Sequence, residues 1–406
     1  MRIPYLDHPP EVINVDVGRQ LFVDDFLLDL QETGAVREFH HPVKHPCNPI
    51  FFPQTEYELG QHSGYAPSTA CKCGGIGFDK TDNRFKMWYM ASYCGHLAYA
   101  ESADGVHWER PNLDVVPGTN LCLPGIKPDS GSVIIDDGCG NPNERFKMML
   151  RENTVESNAP AKLYTSPDGI HWSEVATTGK IDDRSTMFYN PFTKKWVQSI
   201  RTVVPGPWRC RCYYEQEDFV KSADFNWEDR KPVQWARADF MDTGERMYPQ
   251  LYNIDAMPYE SIMLGFFEIL RGPENFVSYQ EFMPKLTELT LGYSRDGFHF
   301  ARPDRNAFIG ADRRPGSWEY GYVESSAGCC QIVGDELWFY YSALGGEWGR
   351  SHEPTWENAG VYANGAIGLA KLRRDGFASM NFRYPGATVK TRPIQFSGTR
   401  LFVNAN

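Results

Sequence analysis

The chain has 406 residues, 41% hydrophobic and 14% aromatic, with 23% charged and a formal net charge of −11. That balance describes a packed globule rather than a disordered chain, and its acidity argues against a nucleic-acid partner, whose binders present basic surfaces. No run approaches the roughly 18 apolar residues of a membrane span, and the first ten residues carry no apolar signal core. A cytoplasmic chain without membrane contact is the expectation.

In chain order, Gly18 to Leu28 reads as a buried strand. Its Asp24-Asp25 pair is no carboxylate dyad, because consecutive strand residues point to opposite faces. An extended, proline-punctuated loop follows with His40, His41 and His45. No acidic or cysteine partner stands at ligand spacing, so no metal is expected. The ten cysteines include Cys71/Cys73 and Cys210/Cys212, too closely spaced for zinc pairs and read as buried thiols. Phosphate-cradling glycine loops and a Gly-x-Ser-x-Gly elbow are both missing, so no cofactor is expected.

From residue 74 onward the chain alternates short strands with turns. Gly74–Phe78, a turn at Asp82-Asn83-Arg84 and Phe85–Met90 are followed by Leu97–Ala100 and Ser102-Ala103-Asp104-Gly105-Val106-His107-Trp108. Val133–Asp136, Phe146–Leu150 and Lys162–Thr165 lead in the same way to Ser166-Pro167-Asp168-Gly169-Ile170-His171-Trp172. Thr186–Tyr189 and Lys195–Ile200 precede a degenerate copy at Ser222–Trp227. Leu289–Tyr293 runs into Ser294-Arg295-Asp296-Gly297-Phe298-His299-Phe300. A last unit, Cys329–Val333, Glu336–Tyr341 and Ala366–Ala370, ends at Arg374-Asp375-Gly376-Phe377. Asp-Gly marks a tight turn, since glycine takes positive φ without strain. Five repeats of strand, turn, strand, loop, strand, Asp-Gly turn, strand predict an all-β fold, a five-bladed β-propeller of four-stranded antiparallel blades. Residues 1–406 are read as one propeller domain. Residues 18–28 are expected to close the ring, and 388–406 either dock on it or begin a following sandwich.

The run Arg19–Asp25, the three Ser-x-Asp-Gly-x-His-Trp/Phe copies and Ile367–Phe377 resemble a group of bacterial five-bladed propeller proteins similar to glycoside hydrolase families 32 and 43. The resemblance covers most of the chain from Gly18 to Asn404. It implies a sugar substrate in a central funnel, and in that group a β-sandwich often follows the propeller. The catalytic motifs of the two families, Asn-Asp-Pro-Asn-Gly, Arg-Asp-Pro and Glu-Cys, do not occur here, so no role is carried over from them.

Propeller topology sends polar residues before each first strand, and after each second strand, toward one opening. Those positions give Glu56, Glu58 and His62 before the first blade, Asp129 and Arg151 in the second, and Asp183, Arg184 and Arg201 in the third. The fourth supplies Arg246, Tyr248 and Glu268, and the fifth Tyr322 and Glu324, followed by Trp348, Arg350 and His352. Glycoside hydrolysis needs one ionised and one protonated carboxyl. Asp183, beside Arg184, is read as the ionised partner and Glu324, among tyrosines, as the general acid. Glu268 and Glu56 stand as further catalytic candidates. Arg151, Arg184, Arg201, His62, Tyr248, Arg246, Tyr322 and Trp348 are read as substrate-binding. The sequence reading is a glycoside hydrolase with a carbohydrate substrate. Glycoside phosphorylase and non-catalytic sugar-binding propeller are the alternatives.

Overall fold

A computed structural model describes residues 2–154, 158–203, 208–349, 355, 358 and 360–405. Among the described residues most strands group into five antiparallel sheets, and two strand pairs, Val36–Phe39 with Ala378–Asn381 and Ile13–Asn14 with Ile394–Gln395, lie outside them. Blade one is Thr69–Asp79, Arg84–Ala91, His96–Ser102 and Leu121–Leu123, hydrogen-bonded in that order. Blade two is Pro128–Ile135, Phe146–Glu152, Pro160–Ser166 and Ser173–Lys180. Blade three is Thr186–Asn190, Lys195–Val203, Arg209–Gln216 and Val233–Arg237. In blade four, Gln250–Tyr259, Ile262–Gly272 and Leu286–Ser294 are strands, and single bridges at Ala301 and Ile309 stand in for the fourth. Blade five splits its first strand into Gly321–Glu324 and Cys330–Val333, both paired with Glu336–Leu344, and continues through Gly365–Arg373. The protein is a five-bladed propeller.

Ring closure differs from the sequence expectation. Residues 18–28 form turns, and the strand that completes blade five is Val43–Lys44, paired with Lys371 and Ala370. Leu21 and Val23 are nevertheless buried, packed into the core between blades four and five. An apolar run can bury its side chains without extending, so its composition alone mimics a strand. Parallel bridges Ser68↔Gly365 and Gly75↔Ala327 join blade one to blade five. At the chain's end Ile394–Gln395 pairs with Ile13–Asn14, whereas residues 398–405 form no strand.

Each core cluster lies between two neighbouring blades. Trp88, Tyr99, Phe146 and Met148 fill the gap between blades one and two, and Met149, Leu163, Met187 and Ile200 fill the next. Successive residues of one strand therefore enter different cores. That is why Phe146–Leu150 reads as a continuous apolar run rather than an alternating one.

The Asp-Gly repeats make three near-identical turns. Ser102 Oγ accepts from the Asp104 and Gly105 amides, and Asp104 Oδ1 accepts from those of Val106 and His107. The imidazole of His107 meets Asp104 Oδ2 at 2.8 Å. Asp168 with His171 and Asp296 with His299 repeat the pattern. The turns also clamp blades together. Tyr340 of blade five donates to Gly105 O, Trp88 of blade one to Gly169 O, and Asn190 of blade three to Asp296 O. Gly169 sits at φ +82°, where a Cβ would meet the Trp88 ring at 2.5 Å, so both conformation and space require glycine. The degenerate copy departs from this. Ser222 lies in a 3-10 turn, and Asp224 binds Tyr214 and Arg230 instead.

Candidate active site at the propeller mouth

First strands and the segments just before them bring charged side chains from all five blades to the centre. The innermost group is a buried polar plug around Arg184. Its Nε donates to Glu268 Oε2 at 3.1 Å, its Nη2 to Glu268 Oε1, and its Nη1 to the Lys72 carbonyl at 2.7 Å. Glu324 Oε1 lies 3.9 Å from both Arg184 Nε and Lys72 Nζ. The Ser325 amide donates to Glu268 at 2.7 Å, and the Ser325 hydroxyl to Asp255 at 2.6 Å. Glu268 and Glu324 are 0% and 1% exposed. Burial pushes Glu268 up to about 7 against the pull of Arg184, and Glu324 and Asp255 push the same way. Three carboxyls thus crowd around one guanidinium.

A second layer is more open. Asp183, immediately before blade three, pairs with Arg201 and has a third of its side chain exposed. Arg201 also holds Asp182 at 2.5 Å. Asp129 of blade two pairs with Arg151, which lies on its neighbouring strand. The two aspartates are displaced in opposite directions. Burial pushes Asp129 up to about 6, and the charge of Asp183 adds to it against Arg151. Burial alone would raise Asp183 too, but Arg201, Arg209, Lys72 and Arg151 hold it below the usual carboxylate range. One acid is thus poised to carry a proton while its neighbour stays ionised, the division of labour that acid–base chemistry requires.

Tyrosines wall the opening. Tyr93 stacks on Tyr362 with ring centroids 4.2 Å apart, and Tyr322 lies between Tyr362 and Tyr252 at 5.5 and 6.3 Å. Lys72 Nζ donates to Tyr93 Oη at 3.1 Å. Arg184 and Tyr322 both have positive φ, +55° and +47°. For residues this bulky that backbone is strained and persists only where the surroundings enforce it.

Of the residues nominated from sequence, Asp183, Glu268, Glu324, Arg151, Arg184, Arg201 and Tyr322 come together here. Trp348 packs beside Tyr93 and Tyr362 at the blade-one side. Others lie apart. Glu56 is exposed and pairs with His62 at 3.3 Å, while His62 stacks on Tyr57. Glu58, next in the same loop, is fully buried but serves structure, tying Tyr89 and Arg110 to the Gln54 and Thr55 amides. Arg246 is exposed and engaged by Glu281, and Tyr248 lies in a cleft of about 540 Å³ with Trp208, Arg209 and Pro249. Arg350 and His352 fall outside the described residues. Asp129 was visible from sequence as a mouth position, without being nominated for catalysis. Lys72, a lone cation between Cys71 and Cys73 in a buried strand, carries the same sequence signal as Glu268, a charge in an otherwise apolar run.

No family model matches the chain, and no curated protein matches it in sequence. Solved structures match its fold. An N-acetylgalactosamine deacetylase from F. plautii, in complex with blood group B trisaccharide, is 14% identical with a TM-score of 0.53, over 83% of this chain and 95% of that one. A structure of the GH130 family of mannoside phosphorylases, which contains glycoside hydrolases that target beta-1,2 mannosidic linkages in Candida mannan, gives 12% and 0.52, over 86% and 96%. A glycosyl hydrolase from Bacteroides ovatus gives 10% and 0.50, over 93% and 100%. These structural neighbours act on carbohydrates, and at such identities the likeness speaks for the fold. Among the described residues, no helix is long and apolar enough to cross a membrane.

Proposed function

We propose that this chain is a carbohydrate-active enzyme that cleaves a glycosidic bond at the propeller mouth. Asp129 delivers the proton to the departing oxygen, and Asp183 remains ionised to activate the attacking nucleophile or to stabilise the cationic sugar. The observation that carries this reading is the geometry of two aspartates from neighbouring blades, Asp129 paired with Arg151 and Asp183 with Arg201, with burial pushing the first up and the arginines holding the second down. Tyr362 and Trp348, both partly exposed beside Tyr93, offer flat apolar faces on which a sugar ring can stack. Glu324 and Glu268 are better read as holding Arg184 in the plug, because a general acid must reach the bond it protonates and these carboxyls are closed off.

The test is a panel of aryl glycosides and oligosaccharides, with and without phosphate, assayed for released sugar. Asp129→Asn and Asp183→Asn should each lower turnover by roughly 10²- to 10⁴-fold while remaining folded. Full activity in both variants removes the assignment. Saturable sugar binding without any product makes the propeller a binding module instead.

A further inference from the structure

Arg211, in the third strand of blade three, is 0% exposed. It lies directly across from Arg201 in the strand register, so the two side chains share a face, and Arg209, two residues away, shares it too. That face turns to blade four, where Tyr213 packs with Ile254 and Ile269, and where Arg209 donates to Gln250 at 2.8 Å.

The carboxylates around Arg211 are already engaged. Glu268 is held by Arg184, Asp182 and Asp183 by Arg201, and Asp129 by Arg151. Among the described residues, none of the three guanidinium nitrogens of Arg211 has a hydrogen-bond partner. Burial, with Arg184 and Arg201, lowers this guanidinium only to about 9, which leaves it charged at neutral pH. A buried cation without an acceptor is costly, and arginine is the side chain best shaped to bind planar or tetrahedral oxyanions.

We propose that blades three and four hold an oxyanion subsite centred on Arg211, supported by Arg201 and Arg209. Its ligand is the carboxylate of an acidic sugar unit or inorganic phosphate. The proposal deepens the glycoside-cleaving reading and rests on it for the role of the ligand as substrate or co-substrate. Arg209 also lines the cleft of about 540 Å³ with Trp208 and Tyr248. If the oxyanion is phosphate, one of its oxygens forms the new bond to the anomeric carbon as the glycosidic carbon–oxygen bond breaks. The proton of Asp129 then passes to the departing oxygen, and the product is a glycosyl phosphate.

Calorimetric titration with glucuronate, galacturonate and inorganic phosphate, with glucose and galactose as neutral controls, tests this. Saturable oxyanion binding is expected, weakened roughly tenfold or more in Arg211→Met and partly restored in Arg211→Lys. Binding of uronate alone identifies an acidic sugar, and binding of phosphate alone identifies a phosphorolytic co-substrate. If both bind, glycosyl phosphate among the turnover products decides between them. Arg211→Met should melt no lower than wild type, since it removes an unpaired buried charge. Should it fail to fold, Arg209→Gln, on the same strand face, takes its place with the same expected loss. Absence of oxyanion binding by the wild type, or unchanged binding in a folded Arg211→Met protein, overturns the subsite. Cleavage of neutral glycosides without oxyanion binding would remove the subsite and leave the cleavage reading. Oxyanion binding with Asp129→Asn and Asp183→Asn fully active would do the reverse.

Discussion

Asp104 in the turn of blade one and Asp129 at the mouth are aspartates of one chain with basic partners, yet their surroundings drive them apart. Asp104 accepts two backbone amides and the His107 imidazole, and these hold its carboxyl low against what burial it has. Asp129 has Arg151, but burial and the charge of Asp183 outweigh it. Donors from the neighbouring backbone make a carboxylate comfortable and structural. A like charge in a confined space makes one reactive. The periphery of this propeller is built on the first principle and its centre on the second.

The largest break in that contrast is chemical. Asp129→Asn and Asp183→Asn should each lower kcat/KM by roughly 10²- to 10⁴-fold, the range of general acid–base contributions, while Asp104→Asn should leave it near wild type. If Asp129 is the acid, kcat/KM falls as pH rises through about 6, and the acidic limb follows Asp183 below the usual carboxylate range. A profile that stays flat through pH 6 would take the acid role away from Asp129.

Arg184 gives the next effect. Arg184→Met strips the plug of its central cation and leaves Glu268 without its bidentate partner. Breaking such a buried pair costs about 3–5 kcal/mol. Adding Glu268→Gln should return part of that loss, because the stranded charge goes with it. Chemical denaturation of the two variants measures the difference, and an unrecovered double variant would show that Arg184 matters through packing alone.

Gly169→Ala probes the periphery at smaller scale. The turn needs positive φ, and an added methyl collides with Trp88 of the preceding blade. Strain of this kind is worth about 1–3 kcal/mol. Turnover by the folded fraction should be unchanged, so loss of stability together with loss of activity per folded molecule would mean that blade docking and the mouth are coupled.

These differences in locality also decide what was legible in the sequence. The turns are written in consecutive residues: the bonds inside the second turn run among Ser166, Asp168, Gly169, Ile170 and His171, so the repeat and the five blades could be read directly. Ring closure could not. Val43–Lys44 is a two-residue strand with no pattern of its own, while the apolar run at 18–28 carried a strand's composition into a set of turns. At the centre, strand position was enough to gather Asp183, Arg184, Arg201, Glu268 and Glu324. It could not rank them, because rank depends on which charge from another blade sits opposite. The tyrosines beside Glu324 in sequence suggest a general acid, yet Tyr322 packs with Tyr252 and Tyr362, and Glu324 is buried in the plug. Glu56, His62, Arg246 and Tyr248 lie on loops whose reach no local pattern records.

The smallest effect is the sharpest test of the contrast, because the two regions should respond to pH with opposite sign. Asp104 is lowered in the folded protein, so its stabilisation is present above the ordinary carboxylate value of 3.8 and is lost as pH falls below it. Asp129 is raised to about 6, so its stabilisation is present below 3.8 and is lost as pH rises through 6. Measured against wild type, Asp104→Asn should therefore be destabilised at pH 7 by an amount that shrinks toward pH 3. The Tm difference of Asp129→Asn should instead move in the stabilising direction between pH 4 and 8. Loss of the Arg151 pair shifts that whole curve without changing its slope, so the slope is the quantity to read. Equal slopes in the two variants would mean that turn and mouth aspartates see the same environment, and the assignment of reactivity to the centre would fail.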